Sequence, residues 1–425
     1  MEGFCMKKFL LALALLGLLL CFANCGKANT LTVYVVDTEP LYVRAVDRFA
    51  SDNPDINLEI EKFSNYEEMN DRLNTELMSG KGPDVLLMHS NKSSTDAAKL
   101  VESGAFLPLD EYVASLEDDS YYPAIMDAGK VDNTQYLLPL SWNVMQVYYT
   151  ENLAVEQELD LSLLYDTIRL EAESLMNQDD KALAALGLKR KDMTNYYLEL
   201  SGVSLSAEEL IAADKSQVSE VASFTKLFYD EELKRKEICT KYTDYPGLVA
   251  RIPFFIEDFS FGHTLRIYQT IIPLRTGETF VPDYFQQLDG GMTAHVMHFG
   301  GISANTDMKE EAWLLLKHVM EEKVDFSFGK YDEGVYYMPV TISGYETAVS
   351  KLSVEAVPGT KVIGLDNENT AILEDLPEKI TDAVIPNQIL GSIVEESMMP
   401  YYQGSADFDS CYENMVQKVN LYLSE

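Results

Sequence analysis

QYLLPLSWNVMQVYYTENL, residues Gln135 to Leu153, contains two apolar runs with no helix between them. The first run, Tyr136 to Leu138, predicts a short buried strand that ends at Pro139, and Val144 to Tyr149 predicts a second strand. Ser141 to Asn143 are expected to be exposed between the two strands. A strand, a turn and a strand in this order are typical of a chain that crosses from one lobe to another.

Trp142 lies in the middle of this stretch. A single tryptophan in an apolar neighbourhood is by default a core residue. The alternative is that Trp142 lies on the floor of a binding cleft, and this alternative depends on the residues before and after the stretch.

Strands and helices alternate regularly in the N-terminal third of the chain. The predicted strands are Leu31–Val36, Ile56–Ile60 and Asp84–Met88, and the predicted helices are Tyr42–Ala50, Tyr66–Ser79 and Thr95–Ser103. This order predicts a parallel sheet wound with helices, whose ligands gather where strands end in loops. The strand-end loops here are Asp37–Glu39 and His89–Asn91, although polar residues of this kind also serve simply to solvate turns.

The first residues predict an exported protein. Lys7 and Lys8 precede an unbroken apolar run from Phe9 to Phe22, which is typical of a secretory signal peptide. The run is shorter than the ~20 residues that span a bilayer, so a permanent transmembrane helix is the weaker interpretation. Cys25 stands just past the run, as in bacterial lipoprotein signals. We therefore expect residues 1–24 to be removed as a signal peptide and Cys25 to carry a lipid anchor.

The composition limits the partners of the chain. Its 33 Lys and Arg residues stand against 69 Asp and Glu residues, which gives a formal net charge of −36 at pH 7. Such a chain repels phosphate backbones, so nucleic acid is excluded, as is an anionic membrane surface beyond a lipid anchor. The 425 residues exceed what one hydrophobic core usually supports, so two domains are expected.

Cysteines are few past the leader, namely Cys25, Cys239 and Cys411. A Cys239–Cys411 disulfide is one alternative for an exported protein. Two separate buried thiols in apolar helical patterns are the other and more common alternative.

Several segments together carry a resemblance to a known family. They are LTVYVV (31–36), RFASDNPDINLEI (48–60), LNTELMSGKGPDVLLM (73–88), AAKLVESGAFLPLDEYV (97–113), YLLPLSWNVMQVYYTENL (136–153), GGISANTDMKEEAWLLLKHVMEE (300–322), YMPV (337–340) and YYQGSADFDSCYENMVQKVNLYLSE (401–425). In order and spacing they resemble the family 1 extracellular solute-binding proteins. These are the sugar-capturing lipoproteins of bacterial ATP-driven importers, similar in fold to maltose-binding protein. The resemblance covers most of the chain past the leader and is weakest from Glu156 to Lys236.

The resemblance implies a two-lobed α/β fold, the type II periplasmic-binding-protein-like fold. Each lobe is expected to be a mainly parallel sheet flanked by helices, and a multi-strand hinge joins the lobes. The expected boundaries are residues 25–142 plus 301–325 for lobe 1, and residues 143–300 plus 326–425 for lobe 2.

The same resemblance places the crossings between the lobes. The chain would cross at Ser141–Met145 and return at Met297–Ser303. The helix Lys309–Met320, with Asp307 as its N-cap, would then belong to lobe 1. Trp313 lies in this helix and is expected to be a core residue.

The resemblance also implies which residues contact a ligand. In lobe 1 they are Glu39, His89 and Asn91, from the loops after the first and third strands. At the crossings they are Trp142, Asn143 and Phe299, and in lobe 2 they are Glu257 and Asp258, in a loop that follows the buried strand Ile252–Ile256. Sugars suit such a set, because their C–H faces pack on aromatic rings and their hydroxyls bond to carboxylate, amide and imidazole groups.

No motif in the sequence requires catalysis, a metal or a cofactor. His295 and His298 have the residue types of a metal pair, but positions i and i+3 of a strand face opposite sides, and no third ligand has a fitting spacing. We therefore expect these two histidines to be structural. Glu257 and Asp258 are adjacent, and adjacent carboxylates seldom converge on one glycosidic bond. A binding protein is expected rather than an enzyme.

The expected function is capture of a solute, a neutral oligosaccharide by preference, in a cleft between two lobes. The protein would be a monomer, anchored by lipid on the outer face of the bacterial cytoplasmic membrane, and would present its closed form to the membrane permease subunits of an ABC importer. The alternatives are a binding protein for a peptide or polyamine, an extracellular glycosidase, and a surface adhesin without a small ligand.

Overall fold

The described part of the computed structural model contains a seven-stranded sheet with its helices and a separate three-stranded sheet. The described residues are 29–78, 81–90, 92, 96–117, 120–150, 207–223, 225–226, 254–258, 280–284, 291–322, 337–354 and 373–424. The predictions for the leader, Cys25, Asn91, Cys239 and the helices between residues 163 and 186 lie outside the described residues.

The predicted strand and helix alternation of the N-terminal third is confirmed. Strands β1 (Leu31–Val36), β2 (Leu58–Phe63) and β3 (Val85–His89) form a parallel sheet with β1 in the centre. Helix α1 (Pro40–Asp52) connects β1 to β2, and α2 (Tyr66–Met78) connects β2 to β3. Because helices occupy the connections, β1 and β3 are almost wholly buried, which explains their continuous apolar sequences.

The same sheet continues on the other side of β3 with strands from distant parts of the chain. β10 (Thr293–Ile302) pairs antiparallel with β3 and with β6 (Leu137–Asn143). Every residue of β6 and of β10 is buried. At the edge, β11 (Met338–Pro339) pairs antiparallel with β6, and β12 (Asp382–Val384) pairs parallel with β10.

Pro139 does not end a strand, contrary to our prediction. β6 runs through it to Asn143, and Pro139 pairs with Phe299 of β10. The register between the two strands shifts on each side of His298, once next to this pair. A proline cannot donate to the ladder and is tolerated at such irregularities. Consequently Ser141 and Trp142 are buried within β6 rather than exposed in a turn.

The chain leaves the first sheet at Val144. The next strand, β7 (Met145–Thr150), is the centre of a second sheet, between β8 (Phe254–Asp258) and β9 (Phe280–Tyr284). Both pairings are antiparallel, although we expected parallel pairing to dominate in each lobe. That expectation came from the resemblance to the solute-binding family, and these two pairings are those of the described part of the second sheet.

The return to the first sheet occurs earlier than predicted. Because β10 lies wholly in the first sheet, the chain passes between the sheets before Thr293. Of the predicted return crossing Met297–Ser303, all residues but Ser303 belong to this central strand. The residue boundaries of the two lobes stay a prediction.

The remaining described elements are a hairpin and helices. They are α3 (Ala97–Glu102), α4 (Asp110–Val113), α5 (Pro123–Asp127), β4 (Lys130–Val131), β5 (Thr134–Gln135), α6 (Ala207–Ala212), α7 (Lys309–Glu321), α8 (Ile342–Val354), α9 (Leu376–Lys379), α10 (Gln388–Tyr402) and α11 (Phe408–Ser424). None of the helices in the described ranges is long and apolar enough to cross a membrane.

Helix α7 packs on the central strand β10. Trp313 is buried, as predicted, and stacks on Tyr112 with ring centroids 5.3 Å apart. A side chain at Gly300 of β10 would overlap Leu316 of α7, so this glycine allows the helix to lie close to the sheet. The N-cap of α7 is Met308, not Asp307, and it makes no side-chain cap; the Met308 N–H bonds instead to Thr306 Oγ1.

Cys411 is a free, buried thiol on α11. Cys239 lies outside the described residues, so the choice between separate thiols and a Cys239–Cys411 disulfide stays a prediction. Burial raises the pKa of the thiol, which keeps it protonated and unreactive in the folded protein.

Candidate functional site

Three ionisable side chains meet where strands of the first sheet end. Glu39 lies in the loop between β1 and α1, and His89 is the last residue of β3. Because β1 and β3 are parallel neighbours, their carboxyl ends reach the same edge of the sheet. His298 of β10 stands directly opposite His89 in the antiparallel register. We call Glu39, His89 and His298 the histidine–glutamate cluster.

The cluster is tight. One carboxylate oxygen of Glu39 and one ring nitrogen from each histidine lie within 4.8 Å of one another. His298 Nε2 is 3.3 Å from Glu39 Oε2, and the centroids of the two imidazole rings are 4.4 Å apart. Lys92 Nζ donates to the other carboxylate oxygen, Glu39 Oε1, at 2.6 Å.

Hydroxyl groups surround the cluster. Ser141 Oγ lies 2.8 Å from His298 Nδ1, and Tyr337 Oη lies 3.3 Å from His89 Nε2. The ring of Tyr42 packs against His298 with centroids 4.6 Å apart. Tyr66 makes an edge contact to His89 at 5.9 Å between centroids. The cluster is therefore a buried polar network with aromatic walls.

Burial and mutual contacts set the charges of the cluster. Desolvation, with the nearby His298 as a smaller cause, lowers the pKa of His89 from 6.5 to about 2. Burial also lowers the pKa of His298, although Glu39 opposes the shift. Burial alone would raise the pKa of Glu39, but hydrogen bonds from His298 and Lys92 lower it to about 2. At neutral pH both histidines are thus neutral and Glu39 is ionised.

These charges fix the direction of the hydrogen bonds. A neutral imidazole has one N–H donor and one acceptor nitrogen. Since the carboxylate of Glu39 only accepts, His298 Nε2 carries the proton and donates to it, and His298 Nδ1 accepts from the hydroxyl of Ser141. A carboxylate oxygen, or an imidazole nitrogen without a proton, can also accept a hydrogen bond from a hydroxyl or bind a cation.

A small cavity opens beside the cluster. It is lined by Glu39 and His298 together with Val35, Val36, Tyr42, Tyr66, Leu87, Met88 and Leu140. It has room for about one water molecule. In this conformation the cavity accepts a single small group rather than a whole sugar ring.

The structure brings two of the predicted site residues together, namely Glu39 and His89. Trp142 is not on the floor of an open cleft: it is fully buried, and its indole N–H donates to Pro339 O at 2.9 Å. Its ring stacks on Tyr345 with centroids 5.7 Å apart and planes 17° apart. Trp142 is a core residue because Tyr345 of α8 and Tyr122, which lies edge-on with centroids 6.4 Å apart, both pack against its ring.

The other predicted contacts lie elsewhere. Phe299 is also a core residue, paired with Met88 and Pro139 in the centre of the sheet. Asn143 is buried at the end of β6, opposite His295. Glu257 and Asp258 are the last two residues of strand β8, not part of a loop after it. They pair with Gln146 and Met145 of β7.

Sequence reasoning missed His298 as a member of the site. We judged it only against His295, its neighbour on the same strand, whereas its partners come from the loop after β1, which carries Glu39, and from β3, which carries His89. Ser141, Tyr42 and Lys92 were also missed as neighbours of the cluster, because their contacts to it join distant parts of the chain. One signal was available: His89 and His298 are polar residues in strands made mostly of apolar residues, where a polar side chain usually has a partner.

Comparisons with known proteins agree with this fold. Residues 36–212 match the family described as bacterial extracellular solute-binding protein. The sugar-binding protein MalE of Xanthomonas citri is similar over 93% of this chain and 98% of that chain, with 13% identity and a TM-score of 0.64. An ABC substrate-binding protein of Listeria monocytogenes, solved with cycloalternan, is similar over 93% and 99%, with 14% identity and a TM-score of 0.58.

The GacH receptor of Streptomyces glaucescens, solved unliganded and with acarbose, is similar over 94% of this chain and 100% of that chain, with 14% identity and a TM-score of 0.60. No curated protein matches the chain. At these identities the solved structures establish the fold, and the family match covers residues 36–212. The chain therefore has the α/β fold of the two-lobed periplasmic binding proteins, and over residues 36–212 its resemblance to the family 1 extracellular solute-binding proteins is confirmed.

Proposed function

We propose that this protein captures a sugar or oligosaccharide between two lobes and delivers it to an ABC importer. The observation that carries the proposal is the match of residues 36–212 to a solute-binding family, on a fold shared with proteins solved as sugar-binding proteins. MalE and the receptors solved with cycloalternan and acarbose are carbohydrate binders.

The chemistry of the histidine–glutamate cluster suits a sugar hydroxyl. The ionised carboxylate of Glu39 accepts a hydrogen bond, and an imidazole both donates and accepts. Tyr66 adds an aromatic wall beside the cavity. Since the cavity has room for about one water molecule, the cluster would contact a single hydroxyl unless the site opens further.

The second sheet would supply further contacts. Asp258 pairs with Met145, which is one residue past the crossing at Val144. The carboxyl end of β8 is therefore close to the point where the chain passes between the sheets. We propose that Glu257 and Asp258 contact the ligand from this side, and Asn91 from the first.

Transport requires a change of state that the ligand favours. A ligand that touches both lobes binds the closed form better, so it shifts the population toward that form. In this proposal the permease subunits recognise the closed surface and the protein does no chemistry itself. The protein would act as a monomer held by an acylated Cys25 on the outer face of the membrane.

A thermal-shift screen of the purified protein without its leader tests the proposal. The compounds to be screened are mono- and oligosaccharides, amino acids, peptides and polyamines. An oligosaccharide is expected to stabilise the protein by about 2.7 kcal/mol at a hundredfold excess over its Kd. Stabilisation by peptides or polyamines with carbohydrates inert would overturn the sugar assignment. Release of shorter glycans during incubation would instead identify a glycosidase.

A further inference from the structure

We propose that Glu39, His89 and His298 bind one divalent transition-metal ion of the zinc type. The inference does not depend on sugar binding, because it rests on the kinds of atom that meet at the cluster and on their spacing. The nearest protein groups would be two imidazole nitrogens and one carboxylate oxygen, with water in the remaining position.

The ligand set is one that zinc uses in proteins. Two histidines and one glutamate, with a fourth position open, form the open type of zinc site. Imidazole nitrogens also separate this site from magnesium and calcium sites, which use oxygen ligands. The three residues come from separate elements: Glu39 from the loop after β1, His89 from β3 and His298 from β10. The fold itself therefore positions them.

The distances are close to those that coordination needs. Bonds of ~2.0–2.2 Å in a tetrahedral site place ligand atoms roughly 3.4 Å apart. Glu39 Oε2 and His298 Nε2 are already 3.3 Å apart, and no pair of the ligand atoms is separated by more than 4.8 Å. A shift of about 1 Å in a side chain would complete the geometry, within the reach of a rotamer adjustment.

The surroundings provide space, support and access. The cavity beside Glu39 and His298 has room for about one water molecule, which is the size of a group that would complete the coordination. Ser141 Oγ, 2.8 Å from His298 Nδ1, is placed to accept a hydrogen bond from that nitrogen when Nε2 turns to a metal. Lys92 pairs with Glu39 Oε1, and its side chain is 46% exposed, so it can swing outward and open a path.

Zinc titration of the chelator-treated protein tests the proposal. Isothermal calorimetry with ZnCl₂ is expected to show one tight site per chain. MgCl₂ at the same concentration should give no heat of binding. His89→Gln and His298→Gln should each weaken zinc binding by more than tenfold, and Ser141→Ala by about tenfold, as for other supporting residues. His295→Gln is the matched control, because it changes a buried histidine on the same strand outside the cluster.

Two further measurements test the site even if a histidine variant fails to fold. Glu39→Gln removes a charged ligand from a partly exposed position, so it tests the site with the least disturbance of the core. Co²⁺ absorption in the visible range reports directly on nitrogen and oxygen ligands in the native protein and its variants.

Two outcomes would overturn the inference. One is the absence of zinc binding by the native protein. The other is equal zinc binding by the native protein and a folded His89→Gln/His298→Gln double variant, which would place zinc on the many surface carboxylates of this acidic chain. Oligosaccharide binding that is unchanged after chelation would leave the sugar proposal intact, so the two proposals fail separately.

Discussion

His298 faces His89 across the antiparallel pair of β10 and β3, with the two ring centroids 4.4 Å apart. Two histidines this close cannot both be charged without repulsion, and both are buried. The sheet tolerates the pair because the neutral rings bond to neighbouring groups, His298 to Ser141 and Glu39. We therefore expect a lower pH to destabilise the folded protein through these two histidines.

We expect the free energy of unfolding to fall as the pH is lowered below about 6.5. Unfolded His89 takes up a proton near its ordinary pKa of 6.5, whereas folded His89 does so only near a pKa of about 2. Between these values the unfolded state binds more protons, so acid favours unfolding by up to ~1.4 kcal/mol per pH unit for this histidine. His298 acts in the same direction, because its pKa is also lowered.

Urea unfolding of the native protein and His89→Gln, at several values between about pH 5 and pH 7, measures this dependence. The variant keeps a hydrogen-bonding side chain but loses the titrating group, so its pH slope should be shallower. Glu39 has a lowered pKa in the folded protein because of His298 and Lys92. Its contribution to stability is therefore lost only as the pH falls below its ordinary pKa of 4.5. Equal slopes in the two proteins would contradict the assignment of neutral, buried His89.

Trp142→Ala should destabilise the protein by ~3–5 kcal/mol, because the indole is fully buried, stacks on Tyr345 and donates to Pro339. Leu314→Ala is the control: its side chain is 49% exposed, and a change within ~0.5 kcal/mol is expected. Denaturant unfolding of both variants gives the comparison. A Trp142→Ala protein with native stability and weaker ligand binding would restore the cleft-floor interpretation.

Cys25→Ala should release the protein from the membrane fraction. The lipid anchor rests on the sequence alone, namely the apolar run from Phe9 to Phe22 with Cys25 just past it. Mass spectrometry of the membrane-extracted protein is expected to find a diacylglycerol-modified Cys25 as the first residue. An unmodified N-terminus at any other position would exclude the anchor.

The features of the fold that depend on residues close together in the sequence were predicted correctly. The alternation of strands and helices in the N-terminal third, and the meeting of Glu39 with His89 at strand ends, follow from local apolar patterns and from the geometry of parallel sheets. The pairing of His89 with His298 does not, because it joins residues far apart in the chain through a strand order that no local pattern contains.

Local rules also gave the wrong result where neighbouring strands override them. Pro139 was expected to end a strand, but pairing with Phe299 of β10 keeps β6 extended through it, and β11 pairs with the residues beyond it, Ser141 and Trp142. Trp142, which lies beyond the end of the predicted strand, was therefore placed in a turn instead of a core. Prediction failed at this strand because its environment is set by β10 and β11, which come from the other end of the chain.

Gly300→Ala is expected to destabilise the protein by ~1–3 kcal/mol, and removal of one contact should recover part of that loss. A methyl group at Gly300 would overlap Leu316 Cδ1 of α7 and would lie 3.2 Å from Leu87 Cδ2. Leu316→Ala alone leaves a cavity and costs ~2–5 kcal/mol. In the double variant the new methyl group enters part of that cavity, so the two changes should cost less together than their sum, by ~0.5–3 kcal/mol.

Denaturant unfolding of the two single variants and the double variant completes the cycle. Gly104→Ala provides the matched control, because Gly104 has a positive φ of 74° but a methyl group there would meet no atom within 4 Å. Backbone strain alone should destabilise the Gly104→Ala variant. Its loss of unfolding free energy should simply add to that of Leu316→Ala, with no coupling between the two changes. Additivity in the Gly300 cycle would mean that α7 does not rest on β10 at this glycine, and coupling in the Gly104 cycle would mean that the helix responds to changes at a distance.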